Sequence, residues 1–217
     1  MNKIILVDDH SLFREGIKLL IENEGFGEVI AEAENGQQFI DLLKIHQPDL
    51  VIMDIEMPVM NGLEATQKAI QLFPNLRILV LTMLSEKSNY IDLVNAGALG
   101  FVLKTSGKQE FEKAIKTITE GGSYFSNELL RQLIMQQHEK RVKTNEACST
   151  DFSTISKREK EVLQHLCNGL TVTEIAEKLF VSPKTIETHR SALLKKSNTK
   201  NTINLVLCAI KNKVVEV

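Results

Sequence analysis

Lys3-Ile4-Ile5-Leu6-Val7-Asp8-Asp9 opens the chain with an apolar run that stops at two carboxylates, and the same grammar returns downstream. Asp49–Met53 runs into Asp54, Arg77–Leu81 into Thr82, and Gly100–Leu103 into Lys104. Val29–Ala33 makes a fifth run of this kind. Continuous apolar runs of four to six residues suit strands covered on both faces, and both-face burial is the signature of a parallel sheet. Helical spacing fills each interval. Leu12, Ile17, Leu20 and Ile21 mark one helix to about Glu24, and Phe39, Ile40, Leu42 and Leu43 a second that stops at Pro48. The third covers Leu63–Phe73 before Pro74, and the last two cover Glu86–Ala96 and Lys108–Glu120. Five strands each followed by a helix predict an α/β doubly wound, five-stranded parallel sheet.

Ligands of such sheets sit beyond the carboxyl ends of the strands. There the sequence places Asp8, Asp9, Asp54, Thr82 and Lys104. Three carboxylates repel one another unless a cation joins them, and hard oxygen donors favour Mg2+ over zinc. Lys104 offers a point charge for a phosphoryl oxygen, Thr82 a hydroxyl donor, and a carboxylate beside the metal can accept a phosphoryl group. Singly, each residue reads as an ordinary cap, turn former or solvated charge. It is their coincidence at equivalent strand ends that points to a phosphoryl-handling crevice.

The chain has 217 residues, 43% of them hydrophobic and 25% charged, which is ordinary for a globular protein and leaves room for two modest domains. Its longest apolar runs, such as Leu50–Met53 and Ile78–Leu81, are far short of the ~20 residues that span a bilayer, and acids follow the N-terminus too soon for a signal peptide. Three cysteines, Cys148, Cys167 and Cys208, are odd in number and form no CxxC pair. A disulfide framework or zinc site is not expected, and a cytoplasmic location is. The net charge of −2 conceals an asymmetry. Residues 1–120 hold 11 Lys/Arg against 18 Asp/Glu, a net of −7, whereas residues 151–217 hold 11 against 7, a net of +4. The basic end favours a polyanion such as DNA, although many solvated surfaces carry as much charge.

Beyond the α/β part, residues 126–137 continue as an amphipathic helix, and residues 138–154 lose apolar periodicity and read as a linker. Ser156-Lys157-Arg158-Glu159 and Thr171-Val172-Thr173-Glu174 are capping boxes, and Ser182-Pro183 caps a third helix with proline at its first position. Asn201–Asn212 makes a fourth. Four short helices with a turn at 180–182 have helix-turn-helix spacing. The expected division is 1–122 for the phosphoacceptor domain, 123–153 for a connecting helix and linker, and 154–217 for an all-α helix-turn-helix domain. On the third helix Ile186, Leu193 and His189 are assigned inward. Lys184, Arg190, Lys195, Lys196 and Lys200 are phosphate contacts in this reading, Thr188 and Ser191 candidates for base edges, and Thr185 and Glu187 lie on the same outward side. Glu187 could accept from cytosine N4. The plain alternative is a solvated helix face.

Asp8-Asp9, Asp54-Ile55-Glu56-Met57-Pro58 with Asn61-Gly62, Leu81-Thr82, and Gly100-Phe101-Val102-Leu103-Lys104 resemble the receiver domain of two-component response regulators. Ser156–Leu163, Gly169-Leu170-Thr171, Glu174-Ile175-Ala176 and Ser182–Arg190 resemble the LuxR-type DNA-binding domain of the NarL/FixJ group. The resemblance implies that a sensor histidine kinase phosphorylates Asp54. It implies that Asp8, Asp9, Asp54 and the backbone carbonyl of Glu56 hold Mg2+, and that Thr82 and Lys104 bind phosphoryl oxygens. Phe101 would be the aromatic switch, turning inward as Thr82 moves to the phosphoryl group. A homodimer on double-stranded DNA, formed when phosphorylated, is implied as well.

Three departures stand out. Lys104 precedes Thr105 where many relatives have proline and a cis bond, and a cis bond before a non-proline residue costs about 3–4 kcal/mol. Ser197 replaces the usual Leu or Met, and Glu187 sits where a cation would suit phosphates better. A second function from a different class is a Mg2+-dependent aspartyl-phosphate phosphohydrolase. Against it stand the lack of a dedicated acid or base beyond His10, expected to cap the first helix or face solvent, and the attached DNA reader. A phosphorylation-independent DNA binder is a third.

Overall fold

The structure, a computed structural model, describes residues 1–83, 90–125, 152–168, 170–199, 202–212 and 214–215. The helix expected over 126–137, most of the linker, and Lys200 lie outside them.

The first unit is an α/β sheet with strands β1 (Lys3–Val7), β2 (Glu28–Ala33), β3 (Leu50–Asp54), β4 (Ile78–Thr82), β5 (Gly100–Leu103) and β6 (Tyr124–Phe125). All pairs are parallel, in the order β2-β1-β3-β4-β5-β6. The helices are α1 (Ser11–Asn23), α2 (Gly36–Leu42), α3 (Gly62–Leu72), α4 (Tyr90–Ala96) and α5 (Lys108–Thr119). The sixth strand corrects the expected count of five. Tyr124 and Phe125 fall in the stretch expected as connector, and they join the sheet by pairing with Gly100 and Phe101. Two residues carry no periodicity of their own, so the pairing is imposed by the edge of β5.

Alternation along the strands divides the core. Ile4, Leu6, Leu50, Ile52, Leu79, Leu81 and Val102 pack with Ile21 of α1 and Phe111, Ile115 and Ile118 of α5. The intervening Met53 and Phe101 meet the other layer, where Thr66 of α3 bonds Met53 Sδ at 3.6 Å and the Tyr90 ring of α4 stands edge-on to Phe101. Gly62 is required where α3 begins, because a Cβ there would lie 2.2 Å from the carbonyl oxygen of Asp54. Every described peptide bond is trans, Lys104–Thr105 included.

The second unit holds a 3-10 turn (Phe152–Thr154) and helices α6 (Lys157–Cys167), α7 (Val172–Lys178), α8 (Pro183–Lys196) and α9 (Thr202–Lys211). Both capping boxes form, with Glu159 accepting from the Ser156 N–H at 2.6 Å and Glu174 from the Thr171 N–H at 2.8 Å. Ser182 caps α8 through the Thr185 N–H. Val162, Leu163, Ile175, Ile186, Leu193, Leu205 and Ala209 form the core, while His189 is only half-buried. Ser197 is buried where a larger apolar residue was the expectation, and its hydroxyl is satisfied by the Leu194 carbonyl and Thr199 Oγ1. The reading that set disulfides aside is corrected at Cys208, which is disulfide-bonded. Spacing along a chain does not measure the 4–7 Å Cα separation that decides pairing. Cys167 remains a free thiol, pushed up to about 12 by burial and so held as an inert core residue.

Candidate functional site

The sheet order reverses between β1 and β3, and the carboxyl ends of these two strands carry Asp8 and Asp54. The register sets Val7 level with Met53, Asp54 with Leu81 and Thr82 with Leu103. The polar residues that close each strand therefore share one rim.

Lys104 is the hub. Its Nζ donates to Asp54 Oδ2 at 2.8 Å and lies 2.7 Å from Asp8 Oδ2, with all three side chains less than a tenth exposed. The Asp8 oxygen accepts no well-aligned hydrogen bond, so its balance is chiefly the charge of Lys104. The ammonium also sits 4.7 Å from the centre of the Phe13 ring, a cation–π contact. Asp54 Oδ1 accepts from the Ile55 N–H at 2.8 Å. Burial pushes the Asp54 carboxyl above its usual range, with the Asp8 charge acting the same way, and Lys104 offsets only part of this. For Lys104 burial pulls downward, but its hydrogen bond to Asp54 and its attraction to both carboxylates outweigh it and hold the ammonium above its ordinary value.

Asp8, Asp9, His10 and Asp54 each bring a donor atom within 4.8 Å of the others. Three carboxylates at a half-open crevice are a hard-oxygen donor set that fits Mg2+. His10 occupies the cap position of α1, but its side chain makes no cap bond. The side chain faces solvent, the second of the two expected placements, with its ring 3.3 Å from Asp8 and 3.0 Å from Asp9. Sequence reasoning missed Arg14, which donates to the Asp8 carbonyl and is held by Glu32 and Glu34. It missed Phe13 too, since an aromatic at a half-buried helix position signals only packing.

Thr82 Oγ1 donates to the Met83 carbonyl at 2.8 Å, and Glu56 is exposed in the loop leaving β3. Phe101 is fully buried, 6.1 Å from Tyr90 and 5.3 Å from Phe125. The ring points inward, and the Thr82 hydroxyl bonds its neighbour's carbonyl.

On α8, Lys184, Thr188, Ser191 and Lys195 are exposed, and Thr185, Glu187 and Arg190 are half-buried. Thr185 Oγ1 contacts Ser182 Oγ at 2.8 Å, and Thr188 Oγ1 donates to the Lys184 carbonyl at 2.9 Å. Glu187 pairs with Arg190 at 2.7 Å. Lys196, an expected phosphate contact, has a partner within its own unit. Its ammonium is held by both oxygens of buried Glu159, at 2.9 and 2.8 Å, and by the Thr154 carbonyl. A buried carboxylate needs a cation, and Lys196 supplies it.

Residues 4–116 match the response regulator receiver domain, and residues 153–209 match bacterial regulatory proteins of the luxR family. The transcriptional regulatory protein DegU of Brevibacillus brevis is 33% identical, over 99% of this chain and 95% of its own length. The oxygen regulatory protein NreC of Staphylococcus carnosus is 33% identical over 99% of both. Among solved structures, Salmonella typhimurium RcsB, studied for its conformational dynamism in DNA interaction, aligns with a TM-score of 0.58 and 27% identity, over 95% of this chain and 98% of that one. An RcsB–DNA complex aligns at 0.57 and 26%, over 94% and 96%. Relatives that regulate transcription do not favour the phosphohydrolase alternative, and no described helix is long and apolar enough to cross a membrane. With a receiver fold in one unit and a LuxR-type helix-turn-helix in the other, the chain belongs to the response regulators, the DNA-binding transcription regulators of two-component systems.

Proposed function

We propose that Asp54 is the phosphoacceptor of this regulator, that a sensor histidine kinase supplies the phosphoryl group, and that the modified chain binds double-stranded DNA as a homodimer in the cytoplasm. The observation that carries the reading is Lys104 joining Asp8 and Asp54 in one buried crevice at the switch point of the sheet.

Asp8, Asp9 and Asp54, with the Glu56 carbonyl, are the residues that would hold Mg2+. When bound, the ion neutralises the charge that gathers on a transferring phosphoryl group. Asp54 attacks phosphorus through a carboxylate oxygen. The new O–P bond forms as the P–N bond of the donor phosphohistidine breaks, and the imidazole leaves. Lys104 Nζ, already 2.8 Å from Asp54, follows the charge onto the phosphoryl oxygens. Thr82 Oγ1 exchanges the Met83 carbonyl for a phosphoryl oxygen. Arg14 and Phe13 hold Asp8 and Lys104 in place throughout. In the second unit, Lys184, Thr185, Glu187, Thr188, Arg190, Ser191 and Lys195 form the DNA-facing side of α8, whereas Lys196 acts through Glu159.

Intact-mass measurement after incubation with acetyl phosphate and Mg2+ tests the first step. Wild type should gain one phosphoryl group, removable by hydroxylamine as an acyl phosphate is. Asp54→Ala should gain none. An adduct that persists in Asp54→Ala would move the acceptor elsewhere.

A further inference from the structure

Four helices of the described chain end in the same doubly hydrogen-bonded turn, and one of them uses an unexpected residue. After α1 the Gly25 and Phe26 amides bond the Glu22 and Ile21 carbonyls, and after α4 the Gly97 and Ala98 amides bond those of Val94 and Leu93. After α8 the Asn198 and Thr199 amides bond Lys195 and Leu194, and after α7 the Phe180 and Val181 amides bond Glu177 and Ala176. In each, the first of the two residues must take a left-handed backbone. Gly25 at φ +70°, Gly97 at +110° and Asn198 at +49° are residue types that tolerate it. Phe180 at +54° is not, since a bulky side chain is strained in that region.

No packing compensates for that strain. Phe180 is 95% exposed. A lone exposed apolar residue calls for no explanation, but an exposed aromatic in a position glycine would fill better does. The turn is also tied to α6, because Arg158 donates to the Leu179 carbonyl at 2.7 Å. It leads directly into α8, whose cap, Ser182, is two residues on. Exposed Lys178 and Lys184 flank the ring along the chain.

From this geometry we infer that Phe180 is a DNA-contact residue: its ring packs on the deoxyribose of the backbone at the groove edge, with Lys178 and Lys184 on the adjacent phosphates. The inference rests on α8 being the DNA-facing helix. An exposed apolar ring with one lysine shortly before it in the chain and another shortly after it suits the sugar–phosphate alternation of a duplex. A protein surface would have to supply paired acids around an apolar pocket.

The test is fluorescence anisotropy of the full chain on a short mixed-sequence duplex, titrated across salt concentrations, together with thermal unfolding of the C-terminal unit. Phe180→Gly should weaken binding about tenfold, the scale of one buried aromatic ring. The salt slope should not change, because no phosphate contact is lost. The same variant should unfold at an equal or higher temperature than wild type, since glycine relieves the turn. Phe180→Ala should weaken binding equally without that thermal gain, and Phe180→Leu should keep most of the affinity. Lys184→Ala serves as the control for the helix face and should lower the salt slope by about one. Wild-type affinity in Phe180→Gly, with Lys184→Ala impaired, overturns the inference and leaves the helix assignment standing. Wild-type affinity in both overturns the two together. A Phe180→Gly chain that melts clearly lower shows a structural role instead. One that loses self-association but binds DNA normally assigns the ring to a second copy of the chain, and both of these results overturn the proposal.

Discussion

Lys104→Met is expected to destabilise the receiver unit by about 3–5 kcal/mol near neutral pH, the range for removing one partner from a buried ion cluster. The two carboxylates left behind, Asp8 and Asp54, are each 5% exposed and share the crevice that Lys104 now neutralises. The loss should shrink as the solution is made mildly acid. Without the ammonium, the Asp54 carboxyl, already raised by burial, ionises still less readily in the folded chain than in the unfolded one. The folded state then binds more protons, so stability rises as pH falls. Added Mg2+ should restore part of it by supplying a cation to the same oxygens. Asp54→Asn should shift stability the other way. Its carboxyl is already raised in the wild type by burial, so ionised Asp54 works against the fold above its ordinary titration range, and an amide removes that cost. Urea unfolding of the receiver transition across pH measures both. A Lys104→Met chain as stable as wild type without Mg2+ at neutral pH would show that the crevice is open enough for water to screen the acids.

How far the sequence carries depends on whether a feature is local. Parallel strands announce themselves because both-face burial writes Leu50-Val51-Ile52-Met53 as an unbroken apolar run. Capping boxes are equally legible, since Ser156 and Glu159 close theirs across three residues. The strand-end acids and Lys104 could be gathered into one crevice only because parallel topology forces equivalent ends together. What stayed hidden depends on partners far away in sequence. Tyr124-Phe125 is a strand only because the edge of β5 accepts it. Phe13 and Arg14 look like helix packing and helix surface until Lys104 and Glu32 are set against them. Cys208 is disulfide-bonded although its spacing suggested nothing. Lys195 and Lys196 form a cation pair in sequence, and only the 37-residue reach to Glu159 separates their roles.

That separation yields the second large effect. Lys196→Met should destabilise the helix-turn-helix unit by about 1–3 kcal/mol, the cost of leaving a buried acceptor short of its partner. The estimate lies below that for Lys104 because the Lys196 side chain is itself 36% exposed and water screens part of the pair. Burial alone would raise the Glu159 carboxyl, but Lys196 and the Ser156 N–H outweigh it and hold the group below its ordinary range. A lowered carboxyl contributes stability that is complete above its unfolded titration point and disappears as pH falls through the folded one. Wild type should therefore lose stability on the acid side, and Glu159→Gln should flatten that limb. The double variant Lys196→Met/Glu159→Gln should recover part of the single loss, because no charge is then stranded. DNA binding separates this role from the one the cation pair suggests in sequence. If Lys196 only ties the end of α8 to the start of α6, the salt slope of Lys196→Met should equal that of wild type under conditions where the unit is folded. A Lys195→Ala slope lower by about one would place the phosphate contact on its neighbour. A slope that falls equally in both variants would return Lys196 to the DNA surface and make Glu159 a partner it leaves on binding.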